Sequence, residues 1–353
     1  MSAAGGKEFR DAPLYVVWEL TLACNLRCRH CGSSAGASRH RELDAGEALT
    51  LAGDLATLGC ERVTLMGGEP LLRPDWPAIA MRLAGGGAIP EMVSNGMTLD
   101  GPTARRIAES GVQSVTVSID GTERVHDDLR RHSGSFRRAL ESLAHLDASG
   151  LPAGVVTQVN RNNLGDLEDL YRALLETPAR AWQIQLAEPL GRCLEDGGLM
   201  IAQGDLPAVE RFILGVAREG RLPIYAADNI GYMGKNEPLL RSGAPEGIPC
   251  WAGCRAGFDV LGLTSDGRVR GCLSLPEAFN EGSVRDRPIA DIWRNPESFS
   301  YNRGPSRHGP AGACAECPFG RLCRGGCTSL AFTTTGVVGN NPYCLRRIEE
   351  GWS

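Results

Sequence analysis

Leu14-Tyr15-Val16-Val17-Trp18-Glu19-Leu20 leads into a loop containing Cys24-Asn25-Leu26-Arg27-Cys28-Arg29-His30-Cys31. The first seven residues are apolar, β-branched and aromatic, the composition of a buried strand. The thiols that follow are spaced C-x3-C-x2-C, so they sit on the loop that leaves this strand. Three thiolates on one short loop can wrap a single metal centre. A structural zinc would need a fourth ligand from elsewhere in the chain. A 4Fe-4S cube held by three cysteines keeps one iron open to a small molecule. The spacing favours the cube over a zinc site or three unrelated buried cysteines.

Downstream, a strand–helix unit repeats. A helix over Leu43–Gly59, apolar at Ala48, Leu51, Leu55 and Leu58, precedes a strand at Arg62–Met66. Further helices are expected over Asp75–Ala84, Thr103–Ser110, Phe136–Ala148 and Leu167–Leu175. Strands are expected near Pro90–Ser94, Ser114–Ile119, Ala153–Val159 and Trp182–Leu186. Strands alternating with helices build a parallel sheet covered by helices, the α/β class. Six units are too few to close an eight-unit barrel, so the reading is an open, partial (β/α)6 TIM-like barrel. In such folds the chemistry gathers at the C-terminal strand ends. Here those ends carry the cysteine loop, Gly67-Gly68-Glu69-Pro70, Ser94-Asn95-Gly96, Ser118-Ile119-Asp120-Gly121, Gln158-Val159-Asn160-Arg161 and Gln185-Leu186-Ala187-Glu188. A polar residue on one loop is commonplace; six such tips around a thiol loop suggest a site.

The chain has 353 residues, 42% of them hydrophobic, enough for one large core and a smaller domain. Its net charge of −5 is spread along the chain and argues against a nucleic-acid footprint. No run of about 18 apolar residues marks a membrane span, and Met1–Glu8 lacks the apolar core of a signal peptide. The expected location is therefore cytoplasmic. In that compartment thirteen cysteines point to metal or redox chemistry rather than to disulfides.

The second half opens Gly- and Pro-rich, with one clear helix over Leu206–Glu219 and Tyr232 and Met233 read as packing residues rather than a substrate channel. Cysteines then return at Cys254 and Cys272, at Cys314-x2-Cys317-x5-Cys323-x3-Cys327, and at Cys344. Leu261–Val269 reads as a β-hairpin with an Asp266-Gly267 turn, drawing Cys254 and Cys272 together. Seven thiols exceed one zinc site, and two would want eight. The expected organisation is a tail over 1–13, the partial barrel over 14–225, a bridge over 226–249 and a cysteine-rich domain over 250–353.

Cys24, Cys28 and Cys31 followed by Gly67-Gly68-Glu69-Pro70 resemble a radical S-adenosylmethionine (SAM) enzyme. The later cysteines resemble the SPASM domain that extends such enzymes. The resemblance implies three 4Fe-4S clusters and SAM. It implies a SAM cluster on Cys24, Cys28 and Cys31. The methionine amino group would meet Gly67, Gly68, Glu69 and Pro70. Ser94, Asn95, Ser118 and Asp120 would meet the methionine carboxylate or ribose, and His30 would lie near the adenine. One auxiliary cluster would take Cys254, Cys272 and Cys327, with Cys250 as fourth ligand or else an open iron. Pro249 and Trp251 would shield it. The other would take Cys314, Cys317, Cys323 and Cys344. Cys60 reads as a small buried hydrophobe, and Cys193 as a candidate catalytic residue facing the site.

The implied chemistry is reductive cleavage of SAM to a 5′-deoxyadenosyl radical that abstracts a substrate hydrogen. Most SPASM enzymes act on ribosomally made peptides, and maturation of a precursor peptide is the leading reading. Only 23 residues precede Cys24, too few for a leader-recognition domain, so a separate leader-binding protein or direct recognition is expected. The resemblance also implies an electron donor such as flavodoxin or ferredoxin. Formylglycine formation in a sulfatase and tetrapyrrole oxidation keep the fold and change the substrate. An electron-transfer protein using the clusters alone is the reading of another class. Glu69-Pro70 and the polar tips weigh against it, because an electron carrier needs no SAM pocket.

Overall fold

The computed structural model describes residues 9–242, 250–303 and 309–352. In chain order the first part runs β1 (Tyr15–Thr21), α1 (Ala45–Leu58), β2 (Arg62–Gly67), α2 (Trp76–Gly85), β3 (Ile89–Ser94), α3 (Gly101–Glu109), β4 (Ser114–Ser118), α4 (Glu123–Arg130), α5 (Ser135–Ala148), β5 (Ala153–Val159), α6 (Leu167–Leu174) and β6 (Ala181–Leu186). It continues with α7 (Gly191–Glu195), α8 (Leu206–Glu219), β7 (Ile224–Ala226), α9 (Glu237–Arg241), β8 (Val260–Leu263), β9 (Arg268–Arg270), β10 (Gly282–Ser283), α10 (Ile289–Arg294), α11 (Gly320–Cys323), α12 (Thr328–Thr335) and α13 (Leu345–Glu350).

Local chemistry fixes these boundaries. α1 starts at Asp44, whose carboxylate accepts from Glu47 N while the Glu47 side chain returns to Asp44 N, a reciprocal cap. It stops at Gly59, which turns left-handed at φ 94°. Strands β1 to β7 lie parallel in chain order, each hydrogen-bonded to the next. Trp18, Trp76 and Trp182 are buried in the core between sheet and helices. This is the partial TIM-like architecture expected, with β7 as a seventh parallel strand that Ile224-Tyr225-Ala226 was too short to announce.

The hairpin differs from expectation in its partner. β8 pairs parallel with the free edge of β1, Tyr15 opposite Val260 and Trp18 opposite Leu263, and β9 and β10 follow antiparallel. One sheet therefore runs β10-β9-β8-β1-β2-β3-β4-β5-β6-β7 across the expected division at residue 250. The physical reason is edge satisfaction. β1 is an apolar strand whose second edge would otherwise leave buried backbone groups unpaired. Glu19 secures the junction: its buried carboxylate accepts from Arg39 Nε at 2.7 Å and from Ser265 Oγ at 2.9 Å. The end of the expected tail is also built in, because Trp293 Nε1 donates to Arg10 O at 3.0 Å. Residues 1–8 of that tail and 243–249 of the expected bridge, Pro249 included, lie outside the described residues.

α4 was not foreseen. Glu-Arg-Val-His-Asp-Asp-Leu-Arg carries just Val125 and Leu129 as an apolar pair one turn apart, too weak a period to read. Its entry is held by Asp166, which accepts from Thr122 N and Oγ1. Its exit is a left-handed Arg131. Among the described residues no helix is long and apolar enough to cross a membrane.

Candidate active site

The cysteine loop is closed into a ring by its own backbone: Cys24 N donates to Gly36 O at 3.0 Å and Gly36 N to Leu22 O at 2.9 Å. The tip of β2 runs flush against it. Gly68 N donates to Thr21 O and Glu69 N to Ala23 O, both at 2.8 Å. A Cβ at Gly67 would stand 2.2 Å from Thr21 O, and one at Gly68 2.2 Å from Ala23 O, so only glycine allows this approach. The two sequence motifs are thus one physical unit.

Cys24, Cys28 and Cys31 face a cleft of about 180 Å³ at the C-terminal ends of the strands. Its wall also includes Gly67, Gly68, Ser94, Asn95, Ser118 and Gln158, from the tips of β2 to β5. Each thiol is met by an N–H donor. Leu26 N lies 3.4 Å from Cys24 Sγ, Ala35 N 3.3 Å from Cys31 Sγ, and Arg130 Nη1 3.8 Å from Cys28 Sγ. Burial pushes the Cys24 thiol up to about 11 and raises Cys28 as well. Coordination must therefore displace a proton from these groups.

Glu69 is placed differently from expectation. It is fully buried behind the cleft, accepting from Ser94 Oγ at 2.9 Å, Asn95 N at 2.8 Å and Leu71 N at 3.2 Å. Burial pushes its carboxyl up to about 7, outweighing the hydrogen bonds from Asn95, Leu71 and Ser94 and the charge of Arg130. Its side chain ties the β2 tip to the β3 tip, and the cleft wall at β2 is the Gly67-Gly68 backbone. Pro70 opens a buried turn over Pro70–Leu72 and does not line the cleft. Asn95 binds the tips to the loop through Asn25 Oδ1 at 2.8 Å.

Asp120 is likewise occupied. Its carboxylate pairs with Arg130 Nη2 at 2.5 Å and His30 Nε2 at 3.0 Å, and accepts from Gln158 N at 2.9 Å. Burial alone would raise its proton affinity; Arg130, then His30, outweigh that and hold the carboxyl well below its ordinary range. His126 Nδ1 accepts from Asp120 N, and burial pushes this imidazole down to about 3, keeping it neutral. Arg130 and His126 both come from the unforeseen α4. The signal that would have found them is the pairing of a buried Asp tip with the next basic helix.

Gln158 Oε1, His30 Nδ1 and Arg130 Nε are buried on or beside this wall without a hydrogen-bond partner among the described residues. α7 leans on the loop from the far side, Arg192 Nε donating to Cys28 O at 2.7 Å and Nη1 to Ala35 O at 2.8 Å. Cys193, on the same helix, does not face the cleft. It is buried among Val125, Leu129, Ala187 and Leu199, where burial pushes its thiol up to about 11. An apolar contact fixes it there, and a protonated thiol is a poor nucleophile. Cys60 is buried in the main core, as a small hydrophobe would be.

The later cysteines gather in two places. Cys314, Cys317, Cys323 and Cys344 wall one cavity with Tyr232 and Met233, which are therefore packing residues of that cavity. Cys254 lies near enough to Cys272 and Cys327 to help burial raise the proton affinity of those two thiols, with Glu188 beside them. Glu188 is a buried carboxyl at the β6 tip, accepting from Ser329 Oγ at 2.6 Å and Asn229 Nδ2 at 3.0 Å. Trp251 sits between the two thiol sets, its Nε1 donating to Cys323 O at 3.1 Å. Cys250, half-buried, precedes it. Among the described residues no three His, Cys, Asp or Glu side chains close tightly enough to hold a single metal ion.

Residues 18–174 match the model of the radical SAM superfamily, and residues 254–318 match an iron–sulfur cluster-binding domain, SPASM. The AdoMet-dependent heme synthase of Methanosarcina barkeri is 30% identical over 347 residues, 96% of this chain and 97% of that protein. The mycofactocin maturase MftC of Mycobacterium ulcerans is 31% identical over 344 residues, 95% and 89%. This chain belongs to the radical SAM superfamily. As a radical SAM protein with a SPASM domain, it is of a kind that binds SAM and iron–sulfur clusters. Streptococcus suis SuiB bound to S-adenosylmethionine shares the fold at TM-score 0.72 and 15% identity, over 95% of this chain and 76% of SuiB. Native anSMEcpe with bound AdoMet does so at TM-score 0.73 and 15% identity, over 96% of both. The radical SAM cleft fits such ligands: three thiols with N–H donors meet orphaned polar atoms that a polar organic molecule would satisfy.

Proposed function

We propose that this chain cleaves SAM reductively and uses the resulting radical to modify a ribosomally made peptide. The carrying observation is the cleft itself, where Cys24, Cys28 and Cys31 share one wall with unpartnered polar groups at the strand tips. Those three thiols would hold the SAM cluster, which when bound would supply the reducing electron for the cleavage. The Gly67 and Gly68 carbonyls accept from the methionine amine. Arg130, with an unused Nε beside Cys28, meets the carboxylate, and Ser94, Asn95 and Ser118 complete the polar wall. Asp120 acts behind Arg130 and His30, fixing both in place. In the SPASM domain Cys254, Cys272 and Cys327 hold one auxiliary cluster with Cys250 as fourth ligand, and Cys314, Cys317, Cys323 and Cys344 hold a second.

The substrate reading rests on charge. The cleft wall offers the neutral amides of Gln158 and Gln185, groups that pair with a peptide backbone. Its arginines are engaged, Arg130 with Asp120 and Arg192 with two backbone carbonyls. The mycofactocin maturase similarity supports the same reading. A separate leader-binding protein or direct recognition of the peptide, with a small redox protein as electron donor, would complete this activity.

A second reading, oxidation of a tetrapyrrole, is favoured by the heme synthase similarity over nearly the full length of both chains. A polyanionic tetrapyrrole would have to recruit Arg130 or Arg192 from their present partners. Anaerobic incubation with reductant and SAM, followed by quantification of 5′-deoxyadenosine, decides between them. A short precursor peptide, sought among the reading frames beside the gene, should stimulate turnover and change mass. Stimulation by a propionate-bearing porphyrin and not by the peptide would establish the second reading instead.

A further inference from the structure

Three donors in the segment around Cys344 are buried and have no hydrogen-bond partner among the described residues: Asn341 Nδ2, Arg346 Nε and Arg347 Nε. All three residues line the cavity walled by Cys314, Cys317, Cys323 and Cys344. Buried donors ordinarily find an acceptor, and three orphans on one wall are not accounted for by packing.

The rest of each side chain is held firmly. Asn341 is 1% exposed, and its Oδ1 accepts from Tyr343 N at 2.9 Å. Arg346 pairs with Glu350 at 3.1 Å and lies 5.3 Å from the Phe319 ring centroid. Arg347 Nη1 donates to Asn340 Oδ1 and Asn341 O, each at 3.1 Å. These contacts fix the side chains and leave one N–H of each unused beside a wall of sulfur.

We propose that Asn341, Arg346 and Arg347 donate to the sulfurs of a cluster held by these four thiols and raise its reduction potential. N–H donors and guanidinium charge stabilise the more negative, reduced state over the oxidised one. A centre so placed takes up an electron readily. The three act as positioning residues on the cluster and touch no substrate. The inference rests on the ligand set proposed above.

The test is a redox titration of the reconstituted full-length chain followed by electron paramagnetic resonance. The signal of this cluster is the one lost in Cys314→Ser. Asn341→Asp keeps the contact to Tyr343 and removes the donor. Arg346→Met removes donor and charge and keeps the apolar stem. Arg347 also holds the Asn340–Asn341 turn and is left unchanged. Each variant should lower the reduced-to-oxidised ratio at fixed solution potential by about tenfold, 59 mV for a one-electron couple, at unchanged iron content. An unmoved potential in both variants with full iron overturns the proposal. Iron content and spectrum unaltered by Cys314→Ser would instead overturn the ligand assignment, so the two failures are distinguishable.

Discussion

In the cleft, Ser94, Asn95, Ser118, Gln158 and Gln185 hang from the ends of regular parallel strands, with Arg130 and Arg192 added from α4 and α7, and the wall is open and polar. Around Cys314–Cys344 the thiols hang from turns and from the ends of short helices. Tyr232, Met233 and Arg324 all take left-handed backbone at φ 78°, 57° and 56°, and Gly325 and Gly326 continue it. Trp251 and Tyr232 close that wall with rings 5.2 Å apart. The difference teaches what each region is suited to. An open wall on rigid strands can exchange an organic ligand without losing its shape. A closed one built of turns and aromatic cover keeps water from whatever the thiols hold, and suits a centre that passes electrons.

The sharpest way to break this comparison is to remove the thiols from one side. Changing Cys24, Cys28 and Cys31 together to Ala should abolish 5′-deoxyadenosine formation and lower bound iron by about a third. Surviving product would show that the SPASM thiols do the cleft's chemistry. Next in size is the ion pair behind the cleft. Arg130→Met leaves Asp120 buried without its main partner and should cost about 3–5 kcal/mol in stability, with loss of SAM binding. Adding Asp120→Asn should restore stability but not SAM affinity. If it restores both, Arg130 does not touch the ligand.

Glu69 gives a smaller, pH-dependent effect. Its folded value near 7 lies above the ordinary carboxyl value, so the folded chain keeps a proton that the unfolded chain releases earlier. Its contribution is fully present below about pH 4.5 and is lost as pH rises through 7, by about 3 kcal/mol at most. Thermal unfolding of wild type and Glu69→Gln between pH 4 and 8 should diverge in that direction. Parallel curves would mean that folding does not change the proton affinity of this carboxyl. The smallest effect belongs to Cys193→Ala, about 1 kcal/mol of stability with turnover unchanged. A large loss of turnover would return Cys193 to the active site.

Much of this contrast was legible in the residues. Apolar runs such as Tyr15–Leu20 and Ala153–Val159 announced strands, and their polar tips announced the rim of the cleft. Thiol spacing put Cys24, Cys28 and Cys31 on one loop, whereas the division of the later cysteines, with Cys327 set apart from its own run, followed from the family resemblance and not from spacing. What stayed hidden depended on distance in the chain. Nothing in Val260–Leu263 says that its partner is β1, since pairing is decided by which edge is left open. Charge hid the rest. Glu123–Arg130 looks like a solvated stretch, and only the fold reveals that His126 and Arg130 turn inward onto Asp120. Glu69 was read as a ligand for an amine because a carboxylate beside two glycines suits one. Its three internal donors became visible only once β2 and β3 lay side by side.

The pairing of β8 with β1 also sets a timetable. Glu19 and Ser265 are 246 positions apart, so β1 leaves the ribosome long before the strand that completes its edge. At ordinary synthesis rates that interval is on the order of 10–50 s. Throughout it the cysteine loop is tethered to a strand with one side unfinished, and long-range pairing of this kind is slow to form. Cys24, Cys28 and Cys31 are already in the growing chain throughout that window, before Ser265 reaches Glu19 and the last strands shut the sheet behind them.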